Sequence, residues 1–152
     1  MTETPEIGSR GGALVLLFAG LLILLLSFQT WGSCPTTPCG GSRMAISEYS
    51  GIALGFGVVT GLGGLMLAAI GLDGLRHNGV SRFATAAVLL ALVVVLTAGA
   101  SVVWMYVIPG DDKDFYRPPF MAILVAFVGL IAVAASLRLR ASITRRSSQP
   151  IG

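Results

Sequence analysis

Charge is what this chain lacks most. Only 11% of its 152 residues are Asp, Glu, Lys or Arg, whereas a soluble domain carries about 25%. Four long apolar stretches contain no Asp, Glu, Lys, Arg or His in their interiors. Because pumps, transporters and membrane enzymes usually keep a buried ionisable group for their work, this absence argues against most intramembrane chemistry.

Ligand and nucleophile residues are also scarce. The chain has two cysteines and one histidine, and the predicted topology puts His77 across the membrane from both cysteines, so four zinc ligands cannot meet. No nucleophile–base pair stands out, and no separate basic domain suggests nucleic-acid binding. We therefore expect no cofactor, no metal, no nucleic-acid partner and no enzymatic activity.

What the chain does have is hydrophobicity: 55% apolar residues and a mean hydropathy of +0.86. The apolar runs cover about 12–28, 51–72, 83–108 and 120–137, and a spanning helix needs about 20 residues. The sequence predicts an all-α membrane protein, an antiparallel up-down bundle of four transmembrane helices. That domain occupies 11–140, between a mobile polar tail at 1–10 and a basic cytoplasmic tail at 141–152.

Positive charge sets the expected orientation. With both termini inside, the inner segments hold seven basic residues, namely Arg10, Arg76, Arg82, Arg138, Arg140, Arg145 and Arg146. The outer segments hold three, namely Arg43, Lys113 and Arg117. Both termini are therefore predicted to be cytoplasmic. A Gly/Ala/Val-rich composition that favours arginine over lysine is typical of a high-GC bacterium, and this indicates the inner (plasma) membrane.

Small residues mark the expected helix contacts, because helices in lipid associate by close packing. On the second helix, one face is predicted to carry Ala53, Gly57, Gly61, Gly64, Ala68 and Gly71. Bulkier residues, including Val59, Met66 and Ile70, are expected on the opposite side. The first helix has Ala13, Gly20 and Ser27 at intervals of seven. We expect the small face of the second helix, with Gly61 near its middle, to be the tightest surface in the bundle.

Three polar segments outside the helices are candidate sites. In the first outer loop, Cys34 and Cys39 are predicted to form a disulfide, since thiols outside the cytoplasm tend to oxidise. The second outer loop is a possible partner surface with three acids and two aromatic residues, namely Asp111, Asp112, Asp114, Phe115 and Tyr116. Near the C-terminus, an arginine group is predicted to anchor the chain to the inner leaflet, namely Arg138, Arg140, Arg145 and Arg146.

Two functional interpretations remain open. The first is a non-enzymatic accessory, assembly or stabilising subunit that packs against other integral membrane proteins. Across both interpretations, the expected partners are the lipid bilayer and either another integral membrane protein or a second copy of this chain. The second is a small homo-oligomeric transporter or channel. A transporter would need a polar path, for which Thr60, Thr97 and Ser101 are the mid-membrane candidates.

Overall fold

Helices make up most of the computed structural model. The structure describes the backbone of residues 6–28, 30–33, 43–45, 51–77, 83–107 and 120–147. It describes the helical side chains within 10–28, 55–77, 83–103 and 120–141. The helices are α1 (Glu6–Ser27), α2 (Gly51–Arg76), α3 (Ala84–Val107) and α4 (Phe120–Ser147). Two short strands, β1 (Thr30–Ser33) and β2 (Arg43–Ala45), lie between α1 and α2.

All four helices are long and apolar enough to cross a membrane. The qualifying stretches are Arg10–Ser27, Gly55–Arg76, Ala84–Val103 and Phe120–Ala141. Every helix also exposes large apolar side chains outward, among them Phe18, Leu62, Leu96 and Phe127. Exposed apolar surface of this extent is typical of proteins whose surface is covered by lipid or by another protein. This confirms the coarse prediction of a multi-pass membrane protein with four helical spans.

The helices extend beyond the apolar runs that predicted them. α1 begins at Glu6, inside the segment expected to be a mobile tail, and α4 continues from the predicted end at 137 to Ser147. Leu, Arg and Ala are favourable helix formers, so the segment LRLRASITRR continues the helix after the hydrophobicity falls. Hydropathy therefore located the apolar portions, but it did not locate the helix ends.

A small antiparallel strand pair was not expected from the all-α prediction. Thr30 pairs with Ala45, Gly32 with Met44 and Ser33 with Arg43, and the register shifts between Thr30 and Gly32. β1 also lies against α4. The first interhelical connection thus contains a short hairpin-like element that contacts the bundle.

Each helix packs against two others. α1 contacts α2 and α4, and α3 likewise contacts α2 and α4. The largest fully buried side chains come from all four helices, and they include Leu16, Ile23, Leu67, Val94, Val125 and Leu139. Around them the core is lined largely by alanine and valine. Small side chains allow the helix backbones to approach closely.

Candidate functional site

The closest approach between helices occurs where α1 crosses α2. A β-carbon added to Gly20 would lie 2.4 Å from the Ala68 amide nitrogen and 2.6 Å from the Gly64 carbonyl oxygen. A β-carbon added to Gly64 would lie 2.8 Å from both the Gly20 carbonyl oxygen and the Leu24 amide nitrogen. Backbone therefore meets backbone here, and only glycine fits at these two positions without moving a helix.

A second contact of the same kind lies two turns further along α2. A β-carbon on Gly71 would be 2.5 Å from the Leu17 amide nitrogen and 2.9 Å from the Ala13 carbonyl oxygen. Successive contacts on α1 move toward its start as those on α2 move toward its end, so the two helices run in opposite directions. The seven-residue spacing between Gly64 and Gly71 is typical of left-handed helix packing.

The members of the predicted small-residue face differ in how tightly they pack. Gly64, Ala68 and Gly71 meet α1 at backbone distances, whereas a β-carbon on Gly61 would be 3.7 Å from the Ser27 β-carbon, an ordinary contact. Gly57 is half-buried. The side chain of Ala53 lies outside the described residues. The closest packing is thus toward the C-terminal half of α2, and Gly61 is not its tightest point.

One residue was assigned to the wrong side of α2. Val59 and Met66 are exposed, as expected for the bulkier face, but Ile70 is only 9% exposed and belongs to the core. The reason is that α2 has two neighbours and buries two stripes. Its glycine face meets α1, and a second face that includes Leu67 and Ile70 enters the centre of the bundle.

A pair of buried hydroxyls joins α1 to α2 beside the glycine contact. The Ser27 hydroxyl lies 2.8 Å from the Ile23 carbonyl oxygen and 3.1 Å from the Thr60 hydroxyl oxygen. The Thr60 hydroxyl lies 2.9 Å from the Phe56 carbonyl oxygen and 3.1 Å from that of Gly57. Each hydroxyl has one proton to donate, so carbonyls of their own helices and the partner hydroxyl satisfy both groups.

The other candidate path residues do not join this pair in any hydrogen bond among the described side chains. Ser101 is buried and donates to the Ala98 carbonyl oxygen at 2.7 Å. Ser136 is also buried and donates to the Ala132 carbonyl oxygen at 2.7 Å. Thr97 is half-buried. Each buried serine is therefore bonded back to its own helix, which is how a lone hydroxyl is accommodated in an apolar interior.

The end of α2 is closed by a local pairing between Asp73 and His77. The His77 backbone N–H donates to the Asp73 carbonyl oxygen at 3.1 Å. Its Nδ1 lies 3.0 Å from that same oxygen and 3.2 Å from the Asp73 carboxylate. No cluster of three potential metal ligands occurs within the described part of the chain.

The remaining predicted sites are described only in part. Cys34, Cys39 and the acidic outer-loop residues (Asp111, Asp112, Asp114, Phe115 and Tyr116) lie outside the described residues. Of the predicted anchoring residues, Arg138 and Arg140 are exposed on α4. Arg145 and Arg146 belong to the last turns of α4, and their side chains lie outside the described set.

Two further close glycine contacts involve α3, and the sequence did not show that either glycine would meet this helix. A β-carbon on Gly63 would be 2.5 Å from Val94 Cγ2, and one on Gly129 would be 2.7 Å from Val95 Cγ2. Both place α3 against a neighbouring helix through a valine side chain. Gly129 was visible as a small residue on the fourth helix, but its partner requires knowledge of which helices touch.

Comparison with known proteins adds no relative to these observations. The chain matches no family model, no curated protein and no solved structure.

Proposed function

We propose that this chain is a non-enzymatic integral membrane protein that serves as an accessory, assembly or stabilising subunit in the cell envelope. The observation that carries the proposal is the use of the polar groups in the described interior. Ser27 and Thr60 bond to each other and to their own helices, and Ser101 and Ser136 bond to theirs. Interhelical hydrogen bonds like that of Ser27 with Thr60 hold helices together, which supports a role in packing.

The partner would meet a surface other than the glycine face of α2, because α1 already covers that face. We propose that the partner binds the outward side of α3. Only 28% of the α3 span is buried, against 39% or 44% for the others. Gly99 has no atom within 4 Å of an added β-carbon, and Ala86 and Ala100 are exposed. Since glycine costs about 1 kcal/mol against alanine within a helix, an outward Gly99 fits a contact with another protein.

For the bundle we propose the antiparallel up-down arrangement with both termini in the cytoplasm of a bacterial cell and the helices in its inner membrane. The opposite directions of α1 and α2 support it, as does the seven-to-three division of basic residues. A reporter fused after Gly152 should be active only on the cytoplasmic side. Activity confined to the outer side would contradict this orientation.

For the first outer loop we propose a disulfide between Cys34 and Cys39. They are the two cysteines of the chain, and they are five positions apart between α1 and α2. Denatured but unreduced protein should show neither thiol available to an alkylating reagent. Full labelling of both would rule out the bond.

Purification in a mild detergent tests the function directly. We expect a different membrane protein to be recovered in stoichiometric amount with the native chain. Ala100→Leu should lower that recovery while leaving the melting temperature unchanged, because the exposed methyl faces away from the bundle. Ala134→Leu, at an exposed position on α4, is the matched control. A clean homo-oligomer would contradict the subunit proposal and favour the transporter or channel.

A further inference from the structure

Arginines from three helices come together at one end of the bundle. A β-carbon on Gly71 would lie 2.9 Å from the Ala13 carbonyl oxygen, so the end of α2 that carries Arg76 lies beside the start of α1 that carries Arg10. A β-carbon on Gly12 would lie 3.5 Å from both the Ala135 carbonyl oxygen and Leu139 Cγ. That contact brings the end of α4 to the same level. Among the described side chains, the arginines of this end are Arg10, Arg76, Arg138 and Arg140, and all four are exposed.

These arginines lie at or near the ends of the apolar spans. Arg10 begins the α1 span, Arg76 ends the α2 span, and Arg140 is next to the last residue of the α4 span. Long basic side chains at such positions keep their stems along apolar surface while the charged group reaches the headgroups. Asp73 is the one acidic residue within the described side chains, and it pairs with His77. Glu6, in the first turn of α1, is a second acidic residue at this end. Four arginines against these two acids leave this end of the bundle with excess positive charge.

The arginines are spread around the bundle and do not converge on one point. Arg138 and Arg140 are separated by about 200° around α4 at 3.6 residues per turn, so they project to different sides. Arg10 and Arg76 lie on two other helices. A single small anion could not contact such a set together, whereas a leaflet of charged headgroups surrounds the bundle and meets every member.

We propose that Arg10, Arg76, Arg138 and Arg140 form a collar that binds the phosphate headgroups of anionic phospholipids. The collar extends leaflet anchoring from the arginines of α4 to arginines on three of the four helices. Each arginine near an anionic leaflet strengthens the association with that leaflet about fivefold, and the attraction weakens with salt. The proposal does not depend on whether the chain is a subunit of a complex, since it concerns only lipid.

Thermal unfolding of the full chain in lipid nanodiscs tests the collar. Nanodiscs of phosphatidylcholine are compared with nanodiscs containing phosphatidylglycerol, at low and high salt. We expect phosphatidylglycerol to raise the melting temperature, and high salt to reduce that gain. Changing all four arginines to glutamine should remove most of the gain, and changing all four to lysine should keep it. Arg43→Gln, in β2 at the opposite end of α1, is the matched control and should keep it as well.

Three outcomes would overturn the collar. The first is a four-glutamine variant that keeps the full gain. The second is an equal gain from inorganic phosphate added to phosphatidylcholine nanodiscs, which would make a free anion the ligand. The third concerns two double variants, which replace the four-glutamine variant if it fails to fold. Each is expected to lose about half of the gain in melting temperature: Arg10→Gln/Arg76→Gln and Arg138→Gln/Arg140→Gln. A full gain in both double variants would overturn the collar.

Discussion

The contact of α1 with α2 and the contacts of α3 with its neighbours both use glycine, but in different ways. Gly20 and Gly64 bring one backbone directly against another, at distances to an added β-carbon of 2.4 to 2.8 Å. Gly63 and Gly129 instead make room for the methyl groups of Val94 and Val95. A backbone contact can relax only if a whole helix moves, whereas a side-chain contact can relax by a rotation. The same residue type is therefore expected to be indispensable at one interface and merely useful at the other.

This difference matters more in lipid than it would in water. Apolar side chains gain little by leaving hydrocarbon, so helix association depends on van der Waals packing and interhelical hydrogen bonds. The α1–α2 interface has both, because the Ser27–Thr60 pair lies beside the glycines. We infer that the contact between α1 and α2 contributes more to the stability of the bundle than the other helix contacts do.

The largest expected effect comes from Gly20→Leu. The new side chain would overlap the α2 backbone at Ala68 and Gly64, so the two helices must separate. Overpacking of this kind costs about 3 kcal/mol or more, measured as a loss of unfolding free energy in mild detergent. Gly55→Leu is the control, because its added β-carbon would have no atom within 4 Å. Equal losses from the two variants would remove the distinction between inward and outward glycines.

A smaller effect is expected at the α2–α3 contact. Gly63→Ala would push its methyl group to 2.5 Å from Val94 Cγ2, and we expect a cost of about 1 kcal/mol. Because the obstacle is a side chain, Val94→Ala should relieve part of that cost. A double-mutant cycle measures the relief as a favourable coupling. Strict additivity would show that the clash is not with Val94, and the comparison of the two interfaces would lose its physical basis.

The hydroxyl pair should contribute less than either glycine contact. Ser27→Ala and Thr60→Val each remove one hydroxyl from the α1–α2 hydrogen bond. Interhelical hydrogen bonds in membranes are worth about 0.6 kcal/mol on average, so we expect a coupling energy of that size from the double-mutant cycle of unfolding. Ser136→Ala is the comparison, since that hydroxyl bonds within α4. A Ser136–Thr60 cycle with equal coupling would mean that the measured term is not interhelical.

The sequence predicted the four spans and some of the small residues at the α1–α2 contact, namely Gly20, Gly64, Ala68 and Gly71, but it did not predict which helices pair. Ala13, Gly20 and Ser27 were recognisable by their spacing, as was the face of α2 that contains Gly64 and Gly71. Composition alone cannot reveal which helix each face meets. Ile70 was misplaced for this reason, since a helix with two neighbours buries apolar residues as well as small ones. Gly61 and Gly64 also look alike in sequence, although of these two only Gly64 lies against the backbone of α1.

The ends of the elements were less predictable for a different reason. A hydropathy window reports lipid-facing composition, whereas hydrogen bonding and side-chain propensity decide where a helix stops. α4 therefore extends to Ser147 through a basic segment. The strands β1 and β2 have four and three residues. They are too short to show a clear alternation of apolar and polar residues in the sequence.

A pair of alanine substitutions three residues apart tests the account most directly. Gly64→Ala places a methyl group 2.8 Å from the Gly20 carbonyl oxygen, whereas Gly61→Ala places one 3.7 Å from the Ser27 β-carbon. The two changes share a helix, a face and a chemistry. We predict that Gly64→Ala lowers the free energy of unfolding in detergent by about 2 kcal/mol, and that Gly61→Ala leaves it unchanged or raises it by up to about 1 kcal/mol. Equal effects, or a larger loss at Gly61, would contradict a backbone contact between α1 and α2.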